Sequence, residues 1–198
     1  MDSTAIAGLM MFSVSAAFTP GPNNVMLTSS GATFGFRRTL PHILGIAVGF
    51  GGLAVAGGFG LAGLMTAMPQ LHLVLKVFGT AFLLYLAWKI GTAGRATATG
   101  SSRPLSFLQA AAFQWINPKG VTLLASAIVA YSTGPDNIIA DLTLMVPIFL
   151  AATLSSACTW CLFGTVIGRL LTKDRSLRRF NIAMATLLLV SMVPIFFG

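Results

Sequence analysis

Long apolar stretches dominate this chain, and short polar or cationic segments separate them. A helix needs about 20 apolar residues to cross a bilayer, and stretches of that length fit six times. The predicted spans cover residues 4–28, 41–65, 71–90, 105–131, 141–167 and 177–197. The connections are short, which predicts a single all-α transmembrane domain over residues 1–198.

Two of these stretches are interrupted by a polar, helix-breaking motif. The first is PGPNN at 20–24 and the second is NPKG at 117–120. Pro20 and Pro118 lie 98 residues apart in a chain of 198, so each half carries one copy at nearly the same place. Each half has an odd number of spans, so we expect two inverted three-helix repeats, about 1–98 and 99–198, with helices one and four broken. Paired interruptions of this kind mark binding sites in secondary transporters.

Composition and charge agree with a membrane protein. Apolar residues make up 56% of the chain and charged residues only 8%, which argues against a soluble domain. The net charge of +8 could suggest nucleic acid, but the basic residues lie between apolar blocks instead of on a solvated face. Most fall in connections one, three and five: Arg37, Arg38, Lys89, Arg95, Arg103, Arg169, Lys173, Arg175, Arg178 and Arg179. The positive-inside rule then places these connections in the cytoplasm and both termini outside.

The breaks offer a defined chemistry. A proline removes one amide donor and displaces the carbonyl four residues earlier, so the carbonyls of Ala16, Phe18 and Gln114 should be freed. Nearby asparagine and glutamine amides could repair such a kink without any ligand, and one break alone would support that simpler interpretation. Two matched breaks favour a binding site. The candidate binding residues are Pro20, Gly21, Pro22, Asn23, Asn24, Gln114, Asn117, Pro118 and Lys119.

An amino acid suits this site. Helix amino termini after Pro22 and Pro118 attract a carboxylate, and the displaced carbonyls suit an ammonium group. Lys119 stands near the middle of its span, where an ionisable residue is functional by default. The chain offers almost no buried acid, so we expect a cargo with a small neutral side chain. Lys119 and Asp141 are the candidates for proton coupling, although Asp141 is better interpreted as a solvated carboxylate at the outer interface.

The remaining chemistry-bearing residues favour structural roles. Gly45 and Gly49 form a G-x-x-x-G pattern that allows close helix packing near the broken span. Cys158 and Cys161 have redox-pair spacing but are interpreted as small buried side chains. The two histidines, His42 and His72, are interpreted as residues at the membrane edges. No metal site and no cofactor are predicted.

The motifs resemble those of the LysE/RhtB superfamily of amino-acid exporters over essentially the whole chain. The resemblance rests on FTPGPNN at 18–24, GFRR in connection one, LKVFGTAFLLYLAWKIG in span three and FQWINPKG at 113–120. These motifs look most similar to the cysteine/O-acetylserine exporter branch. The resemblance implies export from the cytoplasm across the bacterial inner membrane, driven by the proton motive force, and it is compatible with a homodimer. Relatives with similar motifs also export threonine, homoserine or leucine.

Three alternatives share the six-span plan. A membrane thiol-disulfide carrier would need a cysteine beside each break, and residues 19–24 and 116–120 contain none. A passive channel also uses broken helices, but only a carrier would exchange an external for an internal amino acid. A metal-ion carrier would need a cluster of ligands that the sequence does not suggest.

Overall fold

The computed structural model describes residues 1–61, 69–93 and 103–191, and its regular structure in these ranges is helical, which confirms the all-α class. The helices are α1 Ser3–Phe18, α2 Pro22–Phe34, α3 Phe36–Ala56, α4 Pro69–Gly91, α5 Phe107–Ile116, α6 Pro118–Tyr131, α7 Ile138–Leu170 and α8 Asp174–Val190. A π-helical turn, Gly57–Leu61, extends α3, and a 3₁₀ turn, Pro135–Asn137, precedes α7.

Each predicted apolar stretch contains helix, but fewer than six helices meet the length and hydropathy expected of a membrane span. Within the described ranges, α7 and the segment Phe36–Gly60 are each long and apolar enough to be a membrane span. The pair α1 and α2 meets it when taken as one span bent by 53°. The six-span inverted repeat therefore stays a prediction.

Both predicted helix breaks are present, and each is shorter than expected. The first break is residues 19–21, between α1 and α2, and the second break is Asn117, between α5 and α6. Proline has a fixed φ and lacks the amide hydrogen that would be unpaired at a helix start, so it fits the first helical position. Each helix accordingly resumes at its proline, Pro22 or Pro118. Asn23, Asn24 and Lys119 thus lie in the first turn of a helix, not in unwound chain.

The first connection is also shorter than expected. Gly35 alone separates α2 from α3, with a φ of 79° that favours glycine. Arg37 and Arg38 consequently lie in the first turn of α3, which begins five residues before the predicted span.

Glycines allow the helices to approach one another closely. A Cβ atom built on Gly49 would lie 2.4 Å from the carbonyl oxygen of Ala111, and one on Gly45 would lie 2.3 Å from that of Phe107. These contacts press α3 against α5. A Cβ on Gly164 would likewise lie 2.0 Å from the carbonyl oxygen of Thr28, so α7 presses against α2 in the same way.

Two clusters of buried apolar side chains surround the breaks. One includes Leu27 and Ile46, and the other is built around Leu53, Met145 and Phe149. Members of both clusters line the space between the two breaks, so apolar side chains form part of its wall.

Candidate functional site

A cavity of about 80 Å³ lies between the two breaks, and we call it the chamber. This volume is enough for several water molecules. Seven of the nine candidate binding residues line it: Gly21, Pro22, Asn23, Asn24, Gln114, Asn117 and Lys119. Pro20 is exposed, and neither Pro20 nor Pro118 lines the chamber. These two prolines therefore shape the backbone around the chamber without facing it.

Side-chain amides join the two breaks across the chamber. Asn23 Nδ2 donates to Gln114 Oε1 at 2.8 Å, and Gln114 Nε2 lies 3.3 Å from Asn23 Oδ1. Asn117 Nδ2 also donates to Gln114 Oε1, at 3.4 Å. Asn23 and Gln114 are 91 positions apart, and their hydrogen bonds hold the first turn of α2 against the end of α5.

Asn24 repairs the backbone of the first break. Its Nδ2 donates to the carbonyl oxygens of Ala17 and Thr19, each at 3.0 Å. Ser156 Oγ on α7 donates to the same Ala17 oxygen at 2.6 Å. The sequence pointed to the carbonyls of Ala16 and Phe18, but the side-chain donors reach Ala17 and Thr19, one residue further along in each case.

The Lys119 side chain, in the helix that follows the second break, contacts the backbone of the first break. Its ammonium group donates to the carbonyl oxygen of Thr19, and its side chain is half-buried. Gly21 makes room for it, because a Cβ on Gly21 would lie 2.8 Å from Lys119 Cδ. A cation from one half therefore lies against the backbone of the other.

The two helices that start at the breaks lack side-chain caps. Neither Gly21 nor Asn117, at the N-cap positions of α2 and α6, makes a side-chain cap hydrogen bond. By contrast, α1 is capped by Asp2 and α5 by Ser106, which accept from Ala5 and Gln109 amides at 2.7 and 3.3 Å. Uncapped first-turn amides at the chamber can therefore donate to an anion.

The chamber has one fixed charge among the residues known to line it. Lys119 is its cation, and no aspartate or glutamate occurs among its described lining residues. A ligand with a carboxylate would balance this charge, whereas a cationic side chain would find no counterion there.

The sequence did not identify several residues of the chamber wall. They include the polar residues Ser13, Thr153 and Ser156 and the aromatic residues Phe12, Phe50 and Phe149. Ser13 Oγ is already bonded to the carbonyl of Leu9 in its own helix, whereas Ser156 donates to the Ala17 carbonyl in the last turn of α1, beside the first break.

Asp141 lies apart from the chamber. The expectation of a solvated carboxylate is wrong, because the Asp141 side chain is buried and accepts hydrogen bonds from the turn after α6. These come from the Thr133 amide at 2.7 Å, Ser132 Oγ at 3.0 Å and Thr133 Oγ1 at 3.1 Å. Asp141 thus stabilises the turn between α6 and α7.

His42 is buried inside the protein. It is only 1% exposed, and it lies nearly two turns inside α3, which begins earlier than predicted. The His72 side chain lies outside the described residues. Cys158 is partly buried and Cys161 fully buried on α7, and both are free thiols. In the part of the chain that is described, no three histidine, cysteine or acidic side chains lie together as a metal site would require.

Comparisons with known proteins agree with this picture. Residues 14–198 match the family described as LysE type translocator. A cysteine/O-acetylserine efflux protein of Escherichia coli (strain K12) is 31% identical over 204 residues, covering both chains in full. The protein of that name from Klebsiella pneumoniae subsp. pneumoniae is 31% identical over 201 residues, 98% of each chain. No solved structure matches significantly. The resemblance inferred from the motifs is therefore confirmed.

Proposed function

This chain belongs to the family of LysE type translocators, so it is a transporter and not an enzyme, and from this premise we propose that it exports small neutral amino acids from the cytoplasm. The family accounts for transport of amino acids out of the cell.

The observation that carries the proposal is the meeting of two uncapped helix starts and one lysine. The first-turn amides of α2 and α6 and the Lys119 ammonium are donors suited to a carboxylate. An acceptor suited to the substrate ammonium lies in the same space, namely the side-chain amide oxygen of Asn117. The Asn117 Oδ1 atom is buried without a hydrogen-bond partner among the described residues, which leaves it available to a ligand.

Two features support a small, uncharged substrate side chain. The chamber is about 80 Å³, and Lys119 is the only ionised side chain among its described lining residues. Relatives of this chain are named as cysteine/O-acetylserine efflux proteins, and both of those molecules have short neutral side chains. We therefore place cysteine and O-acetylserine first among the candidate substrates, with threonine, homoserine and leucine after them.

The proposed arrangement is six spans in two inverted repeats in the bacterial inner membrane, with both termini outside. Two short half-helices that begin at matched breaks support this arrangement, since alternating access in such transporters occurs around a fixed midplane site. The cationic residues of connections one, three and five support the orientation.

Lys119 is the residue we propose for coupling to the proton motive force. It contacts the first break directly and lies where the substrate carboxylate would bind, so proton release and carboxylate binding can alternate at one group. Asp141 is engaged by the turn after α6 and does not line the chamber, which makes it the weaker candidate.

Uptake of labelled L-cysteine, kept reduced, into everted membrane vesicles tests the proposal. Saturable uptake that a proton gradient drives and that preloaded unlabelled L-cysteine accelerates is expected for an exporter. L-arginine and cysteamine, which lacks a carboxylate, should compete poorly. Non-saturable flux without exchange would indicate a channel and would overturn the proposal. Loss of uptake in a Cys158→Ala, Cys161→Ala variant would instead support a thiol-disulfide carrier.

A further inference from the structure

A second cavity, of about 50 Å³, lies at the end of the molecule that carries the cationic connections. We call it the cationic-end cavity. Helices α2, α3 and α4 and the segment before α5 form its walls. Its polar and charged lining residues are Ser29, Ser30, His42, Lys89 and Arg103.

His42 is the unusual member of this set. It is 1% exposed, and both of its ring nitrogens are buried without a hydrogen-bond partner among the described residues. A neutral imidazole carries one donor and one acceptor, and native proteins rarely leave such groups unpaired in their interior. Since His42 lines the cavity, a molecule bound there is the natural partner for its ring.

The charges around the cavity indicate what that molecule is. Lys89 and Arg103 both line it, and no acid does so among the described residues. Neither forms an ion pair with the described part of the chain. Two cations without a counterion favour an anion between them, and a carboxylate can accept hydrogen bonds from both. The hydroxyl of Ser30, which has no hydrogen bond to described residues, is a further donor.

The cavity lies close to the chamber along shared helices. On α3, His42 lines the cavity and Ile46 lines the chamber, one helical turn or about 6 Å apart. On α2, Ser29 and Ser30 line the cavity, while Asn24 and Leu27 line the chamber. The two cavities are therefore separated by only one or two turns along the same two helices.

We propose that the cationic-end cavity is a second ligand site, which holds the carboxylate of the amino acid before it enters the chamber. Lys89 and Arg103 supply the charge, and His42 and Ser30 supply hydrogen bonds that discriminate a carboxylate from water. This inference rests on the proposed export function and adds a loading step on its cytoplasmic side.

Transport kinetics measured from each face of the membrane test the loading site. The full-length Lys89→Gln, Arg103→Gln variant is compared with wild type in everted and in right-side-out vesicles, with labelled L-cysteine as the probe. We expect KM at the cytoplasmic face to rise about tenfold or more, as the loss of hydrogen bonds from charged groups predicts, while KM at the opposite face and kcat stay unchanged. His42→Leu, which keeps the side chain's bulk, should raise KM at the same face.

The matched control is Lys173→Gln, Arg175→Gln, which removes two exposed cations from the same end of the molecule. It should leave both KM values as in wild type. If the Lys89→Gln, Arg103→Gln variant raises KM equally at both faces, or at neither, the loading site is overturned even though wild-type export stands. Absence of transport in wild type would instead refute the proposed function itself.

Reconstitution separates an amino-acid carboxylate from a lipid phosphate, which has similar chemistry. In vesicles of phosphatidylcholine alone, the KM difference between wild type and the Lys89→Gln, Arg103→Gln variant should persist. A difference that appears only when anionic lipid is added would mean that the cavity serves a lipid headgroup, and it would overturn the inference.

Discussion

The two breaks differ in what they contribute to the chamber. The first break is three residues long, bends the α1–α2 pair by 53° and exposes carbonyl oxygens that Asn24 and Ser156 repair. The second break is Asn117 alone, and the helix that follows it supplies Lys119. The first break therefore provides acceptors held by the protein's own amides, and the second provides the charge. The two breaks therefore do not divide the chemistry of the chamber equally.

The packing around the breaks, by contrast, is similar in the two halves. Helix α3 presses on α5 through Gly45 and Gly49, and α7 presses on α2 through Gly164 and Gly168, a second G-x-x-x-G pair. In each case, the second long helix of one half lies against the broken helix of the other. Glycine pairs thus allow close backbone contact in both halves, although α5 precedes its break and α2 follows its own, and the polar groups beside these contacts differ.

The largest effect should come from removing the charge at the second break. Lys119→Gln keeps a hydrogen-bonding group of similar length but loses the charge that anchors the carboxylate. Hydrogen bonds to charged groups contribute about 1.5–3 kcal/mol, so kcat/KM for L-cysteine uptake should fall roughly 10- to 150-fold. Uptake kinetics in everted vesicles, measured across a range of pH, provide the check.

Lys173→Gln is the matched control, since it removes an exposed lysine on the same chain and should leave kcat/KM unchanged. The unfolding free energy of Lys119→Gln should stay near wild type. A variant at Lys119 that exports at the normal rate with the normal pH dependence would remove this lysine from both anchoring and proton coupling.

A substitution at the first break should mainly lower the stability of the protein, whereas Lys119→Gln should mainly lower its transport rate. Asn24→Ala removes two hydrogen bonds, to the carbonyls of Ala17 and Thr19, and at about 0.5–1.5 kcal/mol for each bond the loss is about 1–3 kcal/mol. We expect the free energy of unfolding in detergent to fall by about this amount. Asn137→Ala, at an exposed position without a side-chain hydrogen bond, is the control. Equal stability of Asn24→Ala and wild type would mean that the first break needs no repair.

Local chemistry explains which of these features the sequence could predict. The breaks could be located because the effects of proline and asparagine on the backbone are local and do not depend on the tertiary fold. Their short length follows from the preference of proline for the first helical position, which applies equally to Pro22 and Pro118 and could have been anticipated. The close packing at Gly164 and Gly168 could also have been predicted, since these residues have the same spacing as Gly45 and Gly49.

Contacts between distant segments could not be predicted in the same way. Ser156 reaches Ala17 across 139 positions, and nothing in the apolar run of α7 distinguishes the face that it presents. The burial of His42 was not predicted either, because it depends on the helices that pack around α3. In a helix that is apolar on most sides, the pattern does not reveal which residues face a cavity.

The smallest effect concerns the bond that joins the breaks. Asn23 and Gln114 exchange amide hydrogen bonds at 2.8 and 3.3 Å, so a double-mutant cycle of Asn23→Ala and Gln114→Ala should give a coupling free energy of about 1 kcal/mol. Unfolding in detergent measures it. The cycle of Asn23→Ala with Gln109→Ala should be additive, because Gln109 is exposed and bonded to Ser106 at the far end of α5. Additivity of the Asn23 and Gln114 changes would mean that the two breaks are neighbours without being coupled, and the chamber would then have two independent walls.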